Sequence, residues 1–243
     1  MKISMNESNL KYDHASWETR RRFLRFLLKT IGFTLLVKVD QVDGLENIPT
    51  DGPAILLMNH ISFADSIVVL HSTPRHIVPL AKREVFDYPV VGVIPRMWGV
   101  VPVKRDEVDR RAIQQALAVL RAGEILLVAP EGTRNHELQA GREGVAYLAS
   151  RADAPIVPVA LAKTEGFPAF RFSRRWRQAG ARIRFGRPFR YRSDLRRARG
   201  KDLRPMTDEA MYVLAAMLPE HRRGVYADFS KATQETIKWG EDS

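Results

Sequence analysis

Between Glu46 and Ala162 short apolar runs alternate with stretches of helical periodicity. "ENIPTDGP" (Glu46 to Pro53) is a turn cluster, and the apolar run "AILLM" after it predicts a strand over 54–58. The same reading predicts helix over 62–72, strands over 76–81 and 99–103, and an amphipathic helix over 110–123 closed by Gly123. A buried-type strand over 124–129, a helix over 144–152 and strands over 156–162 and 181–186 follow. A helix over 208–218 and a short tail helix after Ser230 complete the pattern. Upstream, Leu24, Leu27, Leu28, Ile31 and Leu35 recur at helical spacing within Trp17–Val39, with Arg22, Arg25 and Lys29 between them and Gly32 as a candidate bend. That helix either packs on the core or lies in a membrane surface, for which its Trp, Phe, Arg and Lys are suited. Strands separated by helices predict an α/β fold: a mostly parallel central sheet covered by helices, with an N-terminal amphipathic helical element. The expected organisation is residues 1–41 as a membrane-association element and 42–243 as the α/β domain.

Composition bounds this picture. A chain of 243 residues, 45% of them hydrophobic, builds one sizeable core. The absence of cysteine excludes disulfides, thiolate nucleophiles and sulfur-ligated metals. The start, "MKISMNESNLKYDH", has neither the apolar core nor the cleavage site of a signal peptide. The longest apolar stretch, Phe23 to Val39, is interrupted by Arg25, Lys29 and Lys38, so no transmembrane helix is expected. The formal charge is +11 and is local: Arg171 to Arg204 holds 14 Arg and Lys against 2 Asp. Such a segment reads as a surface for an anionic partner. Acidic lipid headgroups, an acidic carrier protein and nucleic acid all fit it. Phe170, Phe172, Trp176, Phe185 and Tyr191 are interleaved with the arginines, which favours a headgroup boundary over nucleic acid.

The candidate chemistry sits at strand ends, where open α/β sheets hold ligands. In "NHISFAD", His60 follows the first strand and Asp65 comes five residues later, three after the natural N-cap Ser62. Two readings stay open. Ser62 and Asp65 form a capping box beside an ordinary loop histidine. Alternatively, the carboxylate reaches the imidazole, fixes its tautomer and leaves the other ring nitrogen to act as general base. A second strand end, "APEGTRN", gathers Glu131, the amides around Gly132, the Thr133 hydroxyl and Arg134 in a pattern suited to phosphate or carboxylate. A third, "VPVKR", adds Lys104 and Arg105. There is no G-x-S-x-G elbow, no phosphate-binding glycine loop and no histidine pair at zinc spacing, so no metal site is expected.

Taken in order, these blocks resemble the glycerolipid acyltransferase family over roughly Val42 to Ala162. "NHISFAD", "GVVPVKR", "PEGTR" and "IVPVAL" look like its four blocks, and "AKREVFDYPVVG" like its "AK-x-E" segment. The resemblance implies His60 and Asp65 as the catalytic pair and Arg105 as an acceptor-phosphate residue, with Lys104 beside it. It implies Glu131, Gly132, Thr133 and Arg134 in the acceptor site, with Glu131 orienting Arg134 or binding an acceptor hydroxyl. Lys82 and Pro158 fall in the remaining blocks, with Pro158 lining an acyl or acceptor pocket. Ala129 stands where the family often has Phe, and the second block departs from the usual form. The implied reaction is acyl transfer from an acyl-carrier-protein or coenzyme A thioester to the free hydroxyl of 1-acyl-glycerol-3-phosphate, with no cofactor. The expected location is the cytoplasmic membrane face, peripheral or monotopic. Glycerol-3-phosphate or a lyso-aminolipid is the alternative acceptor. A basic lipid- or nucleic-acid-binding protein without activity is the alternative class.

Overall fold

The computed structural model describes residues 12–13, 15–89, 92–104 and 108–240. In chain order it contains α1 (Ala15–Leu27), β1 (Val39–Asp43), β2 (Ala54–Met58), α2 (Ala64–Ser72), β3 (Ile77–Lys82), α3 (Val93–Trp98), β4 (Val101–Val103) and α4 (Arg110–Arg121). Then come β5 (Ile125–Val128), α5 (Gly144–Ala152), β6 (Ile156–Ala162), β7 (Ala181–Phe185), β8 (Phe189–Tyr191), α6 (Leu203–Ala216) and β9 (Ile237–Trp239). The sheet order is β1-β7-β6-β2-β5-β3-β4, with β8 on β6 and β9 on β8. The run β6-β2-β5-β3-β4 is parallel, as is β1 with β7; β7 and β8 run antiparallel to β6.

Helical cover on both faces explains why the central strands read as continuous apolar runs. Alternate residues feed two cores. Ile55, Leu57, Leu126, Val128, Ile156 and Ala160 pack under α4, α5 and α6. Leu56, Met58, Leu127, Val157, Val159 and Leu161 pack with Val68 and Val69 of α2, Leu24 and Trp98. All five residues of β2 are buried, so one slip of register would move each side chain into the wrong core.

The pattern did not predict β1, α3 or β8. Residues Ile237–Trp239 form β9, paired with β8, where a tail helix was expected; only a single turn, Phe229–Lys231, precedes it. Strand β1 crosses the 41/42 boundary drawn from sequence, because Gln41, Val42 and Asp43 pair with β7. α6 starts five residues early, with Pro205 in its first turn, where a missing N–H costs nothing. α1 runs on as a wider π-type helix over Leu28–Leu36. Leu24 is buried and Leu27 and Leu28 partly so, as their spacing places them, whereas Ile31 and Leu35 are exposed, and the pattern did not mark Arg21, which is buried. Arg21 Nε donates to the Trp98 carbonyl at 2.7 Å. Arg25 donates to the carbonyls of Leu70, Thr73 and Arg75, closing the C-terminus of α2. Arg21 and Arg25 therefore fasten this helix to the rest of the protein. No helix among the described residues is long and apolar enough to cross a membrane.

Candidate active site

β2 ends at Met58, but its pairing does not. Asn59 Nδ2 donates to the Leu161 carbonyl at 3.0 Å, and the Leu161 N–H donates to Asn59 Oδ1 at 2.8 Å. The side-chain amide replaces one peptide unit of the ladder, and this frees the backbone to turn at His60. The turn closes on Asp65 in α2. Its Oδ2 accepts the N–H groups of Ile61 (2.6 Å) and Ser62 (2.8 Å) and faces His60 Nδ1 at 2.8 Å. Its Oδ1 accepts the Thr164 hydroxyl at 2.5 Å. Asp65 has no exposed surface, and a buried carboxylate is tolerated only when its lone pairs are filled in this way. The two readings of "NHISFAD" are thus one arrangement: Asp65 supplies half of the capping box, through the Ser62 N–H, and holds the imidazole with the same oxygen. Ser62 Oγ accepts the N–H of Ala64 (3.0 Å) and donates to the Thr164 carbonyl (3.0 Å). With a carboxylate on Nδ1, the proton stays there and Nε2 is the basic nitrogen. The His60 side chain is 16% exposed, enough to meet a reactant.

The second loop is bound to the first. The Asn135 N–H donates to the His60 carbonyl at 2.8 Å. Gly132 sits at φ +73°, a region that favours glycine, and a Cβ there would lie 3.1 Å from Arg142 Nε. Glu131 is buried, at 6% exposure. It accepts the Gln139 N–H at 2.9 Å and Asn135 Nδ2 at 3.4 Å. Burial raises its pKa, against the pull of Gln139, Asn135 and His60. Glu131 and Arg134 form no ion pair, so the expectation that Glu131 orients Arg134 is corrected: it fastens the loop to Asn135 and Gln139. Thr133 and Arg134 are exposed.

Strand order sets how far each remaining candidate stands from His60. β5 is the next strand, β3 the second and β4 the third. At about 4.8 Å per strand, Lys82 is displaced by roughly 10 Å and Lys104 by roughly 14 Å across the sheet. Lys82 pairs with Glu84 at 3.1 Å. The Lys104 N–H donates to Asp109, the N-cap of α4. Arg105 lies outside the described residues. Pro158 is buried and pairs with Leu57, three positions before His60. It lines a cavity of about 410 Å³ with Gly186, Tyr212, Met217, Phe229 and Trp239. None of those residues belongs to the two loops that meet at His60. The structure thus brings together His60, Asp65 and the Glu131–Asn135 loop as the candidate site, with Lys82 and Lys104 two and three strands away.

A family model described as Acyltransferase matches residues 40–162, half of the chain. The chain belongs to the acyltransferase family. The match includes every residue of the His60–Asp65 and Glu131–Arg134 loops and stops two residues before Thr164. Among its relatives, the chloroplastic 1-acyl-sn-glycerol-3-phosphate acyltransferase of Brassica napus is 33% identical over 60% of this chain and 44% of its own length. The 1-acyl-sn-glycerol-3-phosphate acyltransferase alpha of Ovis aries is 30% identical over 60% of this chain and 52% of its own. That of Borreliella burgdorferi is 31% identical over 52% of each. The chain thus spans about half the length of the curated relatives it matches. The crystal structure of the 1-acyl-sn-glycerophosphate acyltransferase PlsC from Thermotoga maritima shares the fold, with a TM-score of 0.51 and 24% identity over 76% of this chain and 72% of that one.

Sequence reasoning missed three residues of this candidate site. Asn59 was given no role within "NHISFAD", and its amide ladder depends on β6 lying beside β2. Thr164 is 99 residues from Asp65, and no spacing rule reaches that far. Arg142 adds a guanidinium beside Gly132. Its only signal was a basic residue in a glycine-bounded stretch after the "PEGTR" loop.

Proposed function

We propose that the chain transfers an acyl group from a coenzyme A or acyl-carrier-protein thioester to the free hydroxyl of 1-acyl-sn-glycerol-3-phosphate, giving phosphatidic acid. The observation that carries this reading is the His60–Asp65 contact of 2.8 Å, with Asp65 buried and held by three further donors. His60 Nε2 takes the acceptor's proton as its oxygen attacks the thioester carbonyl. The tetrahedral intermediate collapses with loss of the thiolate, which leaves with the proton carried by the imidazolium. Asp65 stabilises that imidazolium and keeps the ring in place. The ester formed and the thioester broken balance without a covalent enzyme intermediate or a cofactor. Arg134 and Arg142, one strand from His60, suit the acceptor's phosphate, since guanidinium pairs with phosphate oxygens in bidentate fashion. Lys104 and Lys82 serve longer reach. Relatives named for this reaction support the acceptor. The protein works from the cytoplasmic face as a peripheral or monotopic protein, because acceptor and product are both lipids.

The test is acyl transfer from each thioester to 1-acyl-glycerol-3-phosphate on liposomes, for wild type beside His60→Ala. Transfer by wild type that collapses in the variant supports the reading. Transfer that survives the substitution removes His60 as base. Activity confined to glycerol-3-phosphate or to a lyso-aminolipid replaces the acceptor and keeps the chemistry.

A further inference from the structure

We propose that the turn Phe170–Ser173 is a membrane prong, with Phe170 and Phe172 entering the headgroup boundary of an anionic bilayer and Arg171 and Arg174 binding its headgroups. It deepens the acyl-transfer reading, on which it rests for the lipid nature of the acceptor. Phe172 is 90% exposed and Phe170 76%. Two phenyl side chains two residues apart held in water are costly, and such exposed apolar positions mark interaction sites.

The base beneath them is firmly built. The Ser173 N–H donates to the Phe170 carbonyl at 2.8 Å, closing the turn. Trp176 Nε1 donates to the Ala169 carbonyl at 2.5 Å, and its ring meets Phe167 edge-on. Arg175 lies 3.9 Å over the Phe167 ring and donates to the carbonyls of Lys163, Glu165 and Ala179. Phe167 and Trp176 thus pack inward while Phe170 and Phe172 are carried outward. The rings are displayed by a fastened loop.

Two neighbours fix the direction. The Ala169 N–H donates to the Leu36 carbonyl at 2.8 Å, which sets the prong against Leu28–Leu36, where Ile31 and Leu35 are also exposed. The same loop begins at Thr164, on the Asp65 carboxylate. Six residues separate Thr164 from Phe170, so the prong stands within about 20 Å of the catalytic pair. Arg171 and Arg174 are exposed and make no hydrogen bond or ion pair with other described residues, which leaves both guanidinium groups for anions. The shape favours a bilayer over a folded acidic partner. Phenyl rings standing out from a convex turn suit a fluid boundary that closes round them, whereas a protein needs a matching pocket.

The experiment is co-sedimentation of the full chain with phosphatidylcholine vesicles, with and without phosphatidylglycerol. Variants are F170S/F172S, F172S alone and R171Q/R174Q, with V108S as the control at another exposed apolar position. We expect F170S/F172S to weaken vesicle binding by about tenfold or more, F172S by less, and R171Q/R174Q to weaken it only where phosphatidylglycerol is present. V108S should match wild type. Vesicle binding unchanged in F172S and F170S/F172S overturns the proposal. So does a wild type that ignores both vesicles. Variants that keep vesicle binding but lose transfer from the carrier-protein thioester overturn it too, and assign the turn to that protein. Wild type that binds vesicles and loses binding in F170S/F172S, but transfers no acyl group, overturns the acyl-transfer reading and leaves the prong standing.

Discussion

The carboxyl edge of the sheet and the arginine-rich segment 171–204 look equally loaded with polar groups in the sequence, and the fold uses them in opposite ways. At the edge, Asp65, Ser62 and Thr164 bond to one another or to one another's backbone and Asn59 bonds to the Leu161 backbone, and the net result is a single imidazole held with one nitrogen free. In the segment, six of the thirteen guanidinium groups bond to the protein's own carbonyls or carboxylates. Arg175 fastens its loop through three carbonyls. Arg187 donates to the Gly240 carbonyl, and Arg190 and Arg196 both bond to Asp153. Arg204 holds Asp208 and the Gly141 carbonyl. A net charge therefore overstates the surface left for partners, because an arginine bonded to a carbonyl keeps its charge but loses its donors. The difference teaches that charge density is a weaker guide to function than a short ordered spacing.

The comparison breaks most sharply at His60. His60→Ala should lower kcat by about 10² to 10⁴, the range for removal of a general base, while urea unfolding stays near wild type. A loss below tenfold would place the base elsewhere and reduce the edge to a structural cap.

Thr164→Val comes next. It removes a donor from a buried carboxylate, a bond to a charged group worth about 1.5–3 kcal/mol. We expect kcat to fall about 10- to 100-fold, with KM for the acceptor little changed, because Thr164 acts through Asp65 and touches no substrate. Thr164→Ser keeps the hydroxyl and should recover most of the rate. A rate near wild type in Thr164→Val would mean that the bond to Asp65 does not matter.

Thr164 also marks where reading the sequence stops. β2, α5 and β6 were legible to the residue, because two-sided burial writes each as an uninterrupted apolar run or a clear helical stripe. His60, Asp65 and the "PEGTR" loop were legible because each motif is local and its order along the chain follows the strands. β8 and β9 were not: three-residue strands carry too little periodicity, and their pairing depends on the Gly186–Pro188 turn bringing Phe189 back to Ile156. The inward-facing arginines of α1 were missed for a related reason. Arg21 and Arg25 satisfy carbonyls of distant residues, which periodicity cannot register. The neighbour relation between β2 and β6 is tertiary as well, so neither Thr164 nor the Asn59 amide ladder could be found from spacing.

Within the segment, Arg175 and Arg171 make the contrast quantitative. Arg175→Ala removes three hydrogen bonds and the stacking on Phe167. It should destabilise the protein by about 1–3 kcal/mol, the usual range when a defined interaction is lost, whereas Arg171→Ala should stay within about 0.5 kcal/mol. Urea midpoints decide it. Equal midpoints for the two variants would return the whole segment to a single solvated face.

The smallest effect is expected at Glu131, where the edge itself carries a cost. Burial raises the pKa of this carboxyl in the folded protein. The folded state therefore binds the proton more tightly than the unfolded chain does. The stabilisation linked to that proton is complete below the ordinary value of 4.5, and it is lost as pH rises through the folded pKa. Glu131→Gln has no such proton. Unfolding measured from neutral pH down to about pH 5 should therefore show wild type gaining stability relative to Glu131→Gln as the pH falls. A gain in the opposite direction would mean that the Gln139 and Asn135 bonds outweigh burial, so that the ionised carboxylate is the form the fold prefers.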